Sequence, residues 1–177
     1  MSLVYQPAED SYLILSVIKK YSKNKSVLDM CTGSGILAIE ASKYSRSTTA
    51  VDVNKEAILN LKLKHPKIKS IKSNLFKNVK SKFDLIICNP PYLPLDKNED
   101  KESRLATTGG KKGDEFTIKF LKEAVKHLNK NGTILLLLSS LTPRSKIKTL
   151  LEKLHLKSEV IASKKVFFET LEVLMIN

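Results

Sequence analysis

The sequence predicts an α/β protein built on a doubly wound, mostly parallel sheet with one antiparallel strand near the C-terminus. Three observations lead to this fold class. Short apolar segments typical of buried strands alternate along the chain with segments of helical periodicity. A glycine-containing turn at 31–35 joins the first such strand to a helix. Only three residues separate the last two apolar segments, which favours an antiparallel pair.

The N-terminal half alternates helices and strands. Pro7 suits the first turn of a helix, in which Glu9 and Asp10 lie where acidic side chains are favoured. Asn54 is a typical N-cap, and Pro66 stops the helix that it begins. The predicted elements are a helix from residue 7 to about 21, a strand at 26–30, a helix at 36–41, a strand at 48–53, a helix at 54–65 and a lysine-rich edge strand at 68–73.

The C-terminal half continues the alternation after a polar, charged segment. We predict no regular structure for that segment, 93–113, and a loop of this length in a small domain is usually functional or disordered. Asn131-Gly132 is expected to end the helix that follows. The predicted elements are a strand at 83–88, helices at 114–128 and 143–154, and strands at 133–138, 156–162 and 166–176, the last two joined by Ser163-Lys164-Lys165.

Length and composition fit one domain with a buried core, since the chain has 177 residues and 42% hydrophobic content. We expect this domain to span 1–177, with an N-terminal lip and helix at 1–22 and a mobile loop at 93–113. No apolar segment reaches the ~20 residues of a membrane span, and the N-terminus does not have the pattern of a signal peptide. The sequence therefore predicts a cytoplasmic protein without membrane contact.

The net charge of +13 permits contact with nucleic acid or with a ribonucleoprotein. However, only three of the 31 basic residues are arginine. Phosphate-binding sites favour arginine, whereas scattered lysine is often an ordinary solvated surface. Composition alone leaves both interpretations open.

The segment Asn89-Pro90-Pro91-Tyr92 directly follows the buried strand at 83–88. Proline cannot donate to a sheet ladder and disfavours helix in the residue before it, so the chain leaves the sheet stiffly. Asn89 is thereby held at the carboxyl end of the strand, where open α/β sheets bind ligands. The Asn89 side chain and the neighbouring carbonyl offer acceptors for a planar –NH2 group, over which Tyr92 can lie. The alternative is a rigid turn without a ligand.

The turn at 31–35 has the spacing Asp29-x-x-x-Gly33-x-Gly35, which differs from the dinucleotide fingerprint. An acid inside such a turn repels pyrophosphate but suits a cationic amino-acid group. Asp52 follows Asp29 by 23 positions, near the spacing at which an acid binds ribose hydroxyls. Asp52 could also be a plain helix-start acid.

These motifs, in this order, resemble the class I S-adenosylmethionine-dependent methyltransferases with an NPPY motif. Segments 4–11, 109–113 and 169–171 resemble the HemK-like protein-glutamine N5-methyltransferases, in particular the eukaryotic and archaeal branch that modifies class 1 translation termination factors. The resemblance covers nearly the whole chain and implies a Rossmann-like methyltransferase domain. It also implies that the helical N-terminal domain of the bacterial branch is missing.

The resemblance implies a role for each matching residue. The implied cofactor-binding residues are Ser11, Asp29, Cys31, Gly33, Gly35, Asp52, Asn74 and Asn89. The implied catalytic residues are Asn89, Pro90 and Tyr92, and the implied substrate-binding residues are Gln6, Pro7, Asn89, Pro91 and Tyr92. Two positions depart from the family pattern: Cys31 replaces the first glycine of the turn, and Asn74 replaces an acid beside the adenine. No metal is implied.

The implied reaction is methyl transfer from S-adenosylmethionine to the side-chain amide of the glutamine in a Gly-Gly-Gln loop of a termination factor. An alternative substrate is an exocyclic amine of adenine or guanine in RNA or DNA, presented by base flipping. A third possibility, a cofactor-binding subunit without activity, conflicts with the intact NPPY motif. The branch also implies a small zinc-binding activator subunit docked along the edge strand at 68–73.

The remaining reactive side chains suggest no further chemistry. Cys31 and Cys88 are expected at the carboxyl ends of neighbouring strands, as reduced thiols. His65, His127 and His155 are scattered without ligand spacing, and we expect them on the surface.

Overall fold

Seven strands form the main sheet of the protein. The computed structural model describes residues 4–96 and 98–177, without the side chains of residues 101, 102 and 105. The main strands are β1 Ser26–Met30, β2 Ser47–Asp52, β3 Lys69–Lys72, β4 Phe83–Cys88, β7 Leu128–Ser139, β8 Ser158–Val166 and β9 Glu169–Ile176. Two short strands, β5 Leu93–Pro94 and β6 Thr108–Gly110, pair with each other.

The strand directions confirm the predicted fold class. The main sheet has the order β3-β2-β1-β4-β7-β9-β8. Neighbouring strands from β3 to β7 are parallel, whereas β9 runs antiparallel to both β7 and β8. Within the described residues, β9 is therefore the one strand of this sheet that runs against the others.

Helices cover both faces of the sheet. Their bounds are α1 Glu9–Ser22, α2 Ile36–Ser42, α3 Lys55–Lys64, α4 Lys101–Thr107, α5 Glu115–Ala124 and α6 Ser145–Lys153. α1 and α2 bury Ile14, Ile18 and Leu37 against one face, and α5 and α6 bury Phe120 and Ile147 against the other. Because both faces are covered, the central strands are continuous apolar segments rather than alternating ones.

The N-terminal elements agree with the prediction to within a few residues. Asn54 caps α3 as expected, since its side chain accepts from the N–H of Glu56 at 2.9 Å. The first helix begins at Glu9 with Ala8 as its N-cap, so Pro7 precedes the helix and does not lie in its first turn. β3 is the edge strand that the lysine-rich segment predicted.

The prediction placed two C-terminal boundaries wrongly. Ser163-Lys164-Lys165 lies within β8, and the turn to β9 is Phe167-Phe168. Because β8 is an edge strand, it can carry lysines that a central strand would exclude. The predicted helix stop at Asn131-Gly132 lies inside β7 instead. The register between β4 and β7 shifts there, and Asn131 takes a positive φ of 62°, as in a bulge.

The segment 93–113 is not structureless, contrary to prediction. It contains β5, α4 and β6, and the N–H of Leu95 donates to the carbonyl of Gly110 at 3.0 Å. Its polar composition concealed this structure, because two- and three-residue strands leave no periodic signal. The mobility expected of this segment stays a prediction.

Three further sequence expectations concern membrane contact, the exposure of the histidines and metal binding. No helix among the described residues has the length and apolarity required to cross a bilayer. His127 lies at the surface but is half-buried, because it stacks on Phe76 with ring centroids 4.6 Å apart. In residues 4–96 and 98–177, no cluster of three or more His, Cys, Asp or Glu side chains could hold a metal ion.

Candidate active site

Asn89 emerges at the carboxyl edge of the sheet, directly after β4. The flanking strands β1 and β7 pair with β4 up to Cys88; β1 ends at that level, whereas β7 continues to Ser139. Pro90 and Pro91 are buried behind it and fix the direction of the chain. This is the position that the sequence predicted for a ligand-binding amide.

The Asn89 amide is held in one orientation by the first turn of α1. Its Nδ2 donates to Oδ2 of Asp10 at 3.0 Å and lies 3.4 Å from Oγ of Ser11. A carboxylate can only accept, so the –NH2 end must face Asp10. The other end, Oδ1 of Asn89, is buried without a hydrogen-bond partner among the described residues. An unpaired buried acceptor costs free energy, and a donor from a bound molecule would satisfy it.

Asp10 joins the N-terminal segment to this amide. Only 5% of Asp10 is exposed. Besides Asn89, its carboxylate accepts from the hydroxyl of Tyr5 at 2.8 and 2.9 Å and from the N–H of Ser11 at 2.5 Å. Burial, together with the Asp10 carboxylate, raises the pKa of Tyr5, so its hydroxyl keeps its proton and remains a donor. Asp10 therefore orients the Asn89 amide and holds Tyr5, in addition to its favourable interaction with the helix dipole.

The glycine turn begins with Cys31 in a left-handed backbone conformation. Cys31 adopts a positive φ of 63°, a conformation that glycine would take more easily. Gly33 and Gly35 also have positive φ values, of 51° and 84°. The N–H of Gly35 donates to the carbonyl of Thr32 at 2.7 Å, which closes the turn. The replacement of glycine at this position is therefore accommodated.

Asp29 is fully buried beneath the turn. Its Oδ2 accepts from the hydroxyl of Thr32 at 2.6 Å and from the N–H of Ala38 at 3.0 Å, which ties the turn to α2. Its Oδ1 is buried and has no hydrogen-bond partner among the described residues. Burial raises the pKa of Asp29 to about 7, although these two hydrogen bonds oppose the shift. Asp29 therefore has a structural role in addition to the cofactor contact that the family resemblance implies.

Asp52 lies across the turn, at the end of β2. Its carboxylate accepts from the N–H of Gly33 and from the N–H of Asn54, both at 2.8 Å. Burial raises its pKa, and these bonds counteract the shift. Asn74 lies at the same edge, because the N–H of Ser73 donates to the Asp52 carbonyl at 2.9 Å, and its side chain is exposed.

The N-terminal segment lies over the glycine turn. A Cβ atom built on Gly33 would lie 3.6 Å from Cβ of Tyr5. The segment therefore has the position of the lip that the sequence suggested. Pro7 is half-buried, whereas Gln6 is exposed and its amide donates to the carbonyl of Val4 at 3.2 Å.

Tyr92 is half-buried beside this network. Its pKa is raised by burial and by the nearby carboxylates of Asp10 and Glu169, so the phenol keeps its proton. Glu169 in turn accepts from the hydroxyl of Ser139, at the end of β7. Tyr92 can therefore serve as a surface for a flat group and as a donor, but not as a base.

Two glycines support the NPPY segment from behind. A Cβ on Gly109 would lie 2.7 Å from the carbonyl oxygen of Pro91, and one on Gly113 would lie 2.5 Å from that of Tyr92. Gly113 also has a positive φ of 90°. The glycines of 109–113 thus let two backbone segments touch, which explains their presence without any ligand contact.

Sequence reasoning missed three members of this site. Asp10 was interpreted either as a helix-start acid or as part of a lip over a ligand, and no role was assigned to Tyr5 or Glu169. The segments 4–11 and 169–171 did carry a signal, since both resemble family motifs. The contacts between these segments and the NPPY motif could be identified only from the fold.

Comparison with known proteins identifies the family. The model of the methyltransferase small domain family matches residues 8–168. The chain belongs to this family. It is a methyltransferase that uses S-adenosylmethionine, and the NPPY and glycine-turn residues described above form its candidate active site.

Two proteins with glutamine methyltransferase names are similar in sequence to this methyltransferase. A Methanocaldococcus jannaschii protein, provisionally named a protein N5-glutamine methyltransferase, is 40% identical over 97% of this chain and 90% of its own length. The release factor glutamine methyltransferase of Borreliella burgdorferi is 36% identical over 63% of this chain. This chain spans 44% of that bacterial relative's length.

A solved structure shows the same fold. The E. cuniculi Mtq2–Trm112 complex, described as responsible for methylation of the eRF1 translation termination factor, superposes with a TM-score of 0.80 and 21% identity. The match covers 98% of this chain and 97% of that chain.

Proposed function

We propose that this methyltransferase modifies the side-chain amide of the glutamine in a Gly-Gly-Gln loop of a class 1 translation termination factor. The observation that carries the proposal is the buried, unpartnered Oδ1 of Asn89, fixed by the bond from Nδ2 to Asp10. A primary amide brings the N–H donor that this acceptor lacks. The names of the two relatives above support glutamine as the amide-bearing residue. Because such a factor works on the ribosome, we also propose a cytoplasmic location.

The proposed role of the chain is to position a poor nucleophile. The lone pair of an amide nitrogen is delocalised into its carbonyl, so transfer requires close alignment. Oδ1 of Asn89 and the carbonyl of Pro90 would accept the two N–H bonds and direct the remaining face of the nitrogen toward the glycine turn. Both acceptors would also stabilise positive charge that grows on nitrogen. Tyr92 would lie against the planar amide.

Bound S-adenosylmethionine supplies a methyl group on a positively charged sulfur. The residues present fit this cofactor. The unpartnered Oδ1 of Asp29 suits its cationic amino-acid end, and the backbone of Cys31, Gly33 and Gly35 would hold that end. Asp52 retains free lone pairs for ribose hydroxyls beside its two backbone bonds.

Four further residues have proposed roles around this cofactor and the substrate. Ser11 would contact the cofactor from the N-terminal segment, and Asn74 would lie beside its adenine. Gln6, Pro7 and Pro91 would line the substrate entrance.

The test is methylation of a purified class 1 termination factor with labelled S-adenosylmethionine, beside a panel of RNA and DNA. We expect label in the intact factor and none in a factor whose loop glutamine is replaced by glutamate. Equal labelling of that variant would refute glutamine as the acceptor. Labelling of nucleic acid alone would support the alternative, methylation of a base amine.

We further propose that a small activator subunit docks along β3. The family resemblance implies that this subunit is a zinc-binding protein. Among the described residues, β3 has a sheet neighbour on one side only, namely β2. The adjacent helix α3 exposes Leu59 and Leu63, the latter to 80%. An unpaired edge next to exposed leucines is a typical protein-binding surface.

A co-purification experiment tests this surface. Leu63→Glu should reduce capture of the candidate activator at least tenfold, because it places a charge in the apolar contact. Val160→Glu is the matched control, since Val160 is 51% exposed on β8, at the opposite edge of the sheet. Equal capture by both variants would contradict docking along β3.

A further inference from the structure

Two phenylalanines form the tip of the β8–β9 hairpin and are almost fully exposed. Phe167 is 98% exposed and Phe168 is 93% exposed, with ring centroids 6.5 Å apart. The rings contribute nothing to either face of the core, and two adjacent exposed aromatic side chains lower solubility. Exposed aromatic residues are, however, typical anchors of protein interfaces.

The hairpin tip lies on the same edge of the sheet as the active site. β9 runs antiparallel to β7, so its first residue, Glu169, is level with the carboxyl end of β7. Glu169 accepts from Ser139 at that end, and its charge contributes to the raised pKa of Tyr92. The tip is therefore continuous with the wall of the site.

The tip also projects beyond the site. Leu174 is in register with Leu136, and Leu136 with Cys88. Phe168 is six residues from Leu174 along β9, which is about 20 Å at ~3.3 Å per residue. Since Asn89 is only one residue past Cys88, the tip extends roughly 15 Å further outward than Asn89. A ligand that contacts both must be larger than a nucleoside or a glutamine side chain.

The balanced charges and the apolar rings of the tip favour a protein over a nucleic acid as its partner. Lys164 is paired with Glu9 in a salt bridge. Glu169 follows the phenylalanines directly. Lys165, which is exposed, and Glu169 flank the tip with opposite charges. The tip therefore has no excess positive charge that would attract phosphate, whereas its two apolar rings suit an apolar protein surface.

We propose that Phe167 and Phe168 are a docking element that binds an apolar surface of the protein substrate, outside the glutamine loop that enters the active site. This inference rests on the proposed function, because it assumes a protein substrate. It adds a second point of contact, which would select the intact factor over other glutamine-containing chains. Its contribution is to substrate affinity and not to the chemical step.

Steady-state kinetics of the double variant Phe167→Ser/Phe168→Ser on the intact termination factor test the proposal. We expect KM to rise at least tenfold while kcat and the dissociation constant of S-adenosylmethionine stay within twofold. Phe167→Leu/Phe168→Leu should restore KM to within threefold of the wild type, because leucine keeps the apolar contact. Val160→Ser, an exposed position near the other end of the hairpin, is the control and should leave KM unchanged.

Three outcomes would overturn the proposal. The first is an unchanged KM for the serine variant, and the second is a fall in kcat with KM constant. The third is a wild-type dimer that becomes a monomer in the serine variant while KM stays the same, which would make the phenylalanines a dimer contact. If the wild-type protein itself fails to methylate the factor, the proposed function fails and this inference fails with it. Wild-type activity on the factor thus separates the two.

Discussion

Replacing Asp10 by asparagine tests whether the first turn of α1 sets the orientation of the Asn89 amide. In the wild type, the carboxylate accepts from Nδ2 of Asn89 at 3.0 Å and from Tyr5, and it cannot donate. An asparagine at this position has one acceptor and one –NH2 group. Its single oxygen replaces the two carboxylate oxygens that accept from Asn89, Tyr5 and the Ser11 N–H, and its –NH2 group permits Asn89 to turn over and present –NH2 to the substrate.

The expected loss follows from the strength of the bond that is removed. A buried hydrogen bond to a charged group stabilises by about 1.5–3 kcal/mol. At about 1.4 kcal/mol per tenfold change in rate, losing this bond should lower kcat by about 10- to 150-fold. The effect should appear in kcat, since the cofactor contacts assigned to the glycine turn and Asp52 are retained.

The assay is methyl transfer at saturating substrate, with Glu9→Gln as the matched control. Glu9 occupies the same helical turn but is exposed and pairs with Lys164. Both substitutions remove one acidic group from the helix N-terminus, so a dipole effect would be similar in both. We expect Glu9→Gln to stay within twofold of the wild type. If both variants lose the same activity, or if Asp10→Asn retains wild-type kcat, the proposed orientation of Asn89 by Asp10 is wrong.

Three further variants test the rest of the site. Asn89→Ala should nearly abolish transfer while isothermal titration shows cofactor affinity within a few fold; surviving activity would contradict the role of this amide. Burial raises the pKa of Asp29 from 3.8 to about 7. The folded protein therefore retains a proton that the unfolded chain releases, and stability falls as pH rises through this window. Asp29→Asn should flatten that fall in urea titrations between pH 5 and 7.5, and an unchanged slope would refute the assignment. Gly113→Ala places a Cβ 2.5 Å from the Tyr92 carbonyl oxygen at a positive φ of 90°, so we expect a lower melting temperature and reduced kcat, whereas wild-type values of both would contradict the support role.

The sheet was predictable because its signals are local. β1 and β4 are short, mostly apolar segments, β2 contains the β-branched residues typical of strands, and the glycine turn and the Asn54 cap have recognisable residue types at fixed spacing. Errors occurred where tertiary context overrides the local pattern. Lysines at 163–165 looked like a turn but are tolerated in an edge strand, and the turn itself contains two phenylalanines. No local rule predicts exposed aromatic residues in a hairpin turn.

The candidate site was predictable in part for the same reason. Asn89 follows β4, Asp52 ends β2 and Asp29 is the penultimate residue of β1. The fold class alone brings such residues to one edge of the sheet. The contact between Asp10 and Asn89 joins residues 79 positions apart in sequence. Such a contact depends on how α1 lies across the sheet, which hydrophobic periodicity does not specify.

One physical requirement links the N-terminal segment to the NPPY motif. An asparagine side chain has two chemically opposite ends of nearly equal size, so packing alone cannot choose which end faces the substrate. A neighbouring carboxylate can choose, because it accepts and never donates. Asp10 supplies this carboxylate, and its other bonds to Tyr5 and the Ser11 N–H keep it in place. The segment that lies over the glycine turn thus also determines that Asn89 presents an acceptor, and a site with that polarity selects a donor such as an amide –NH2 group.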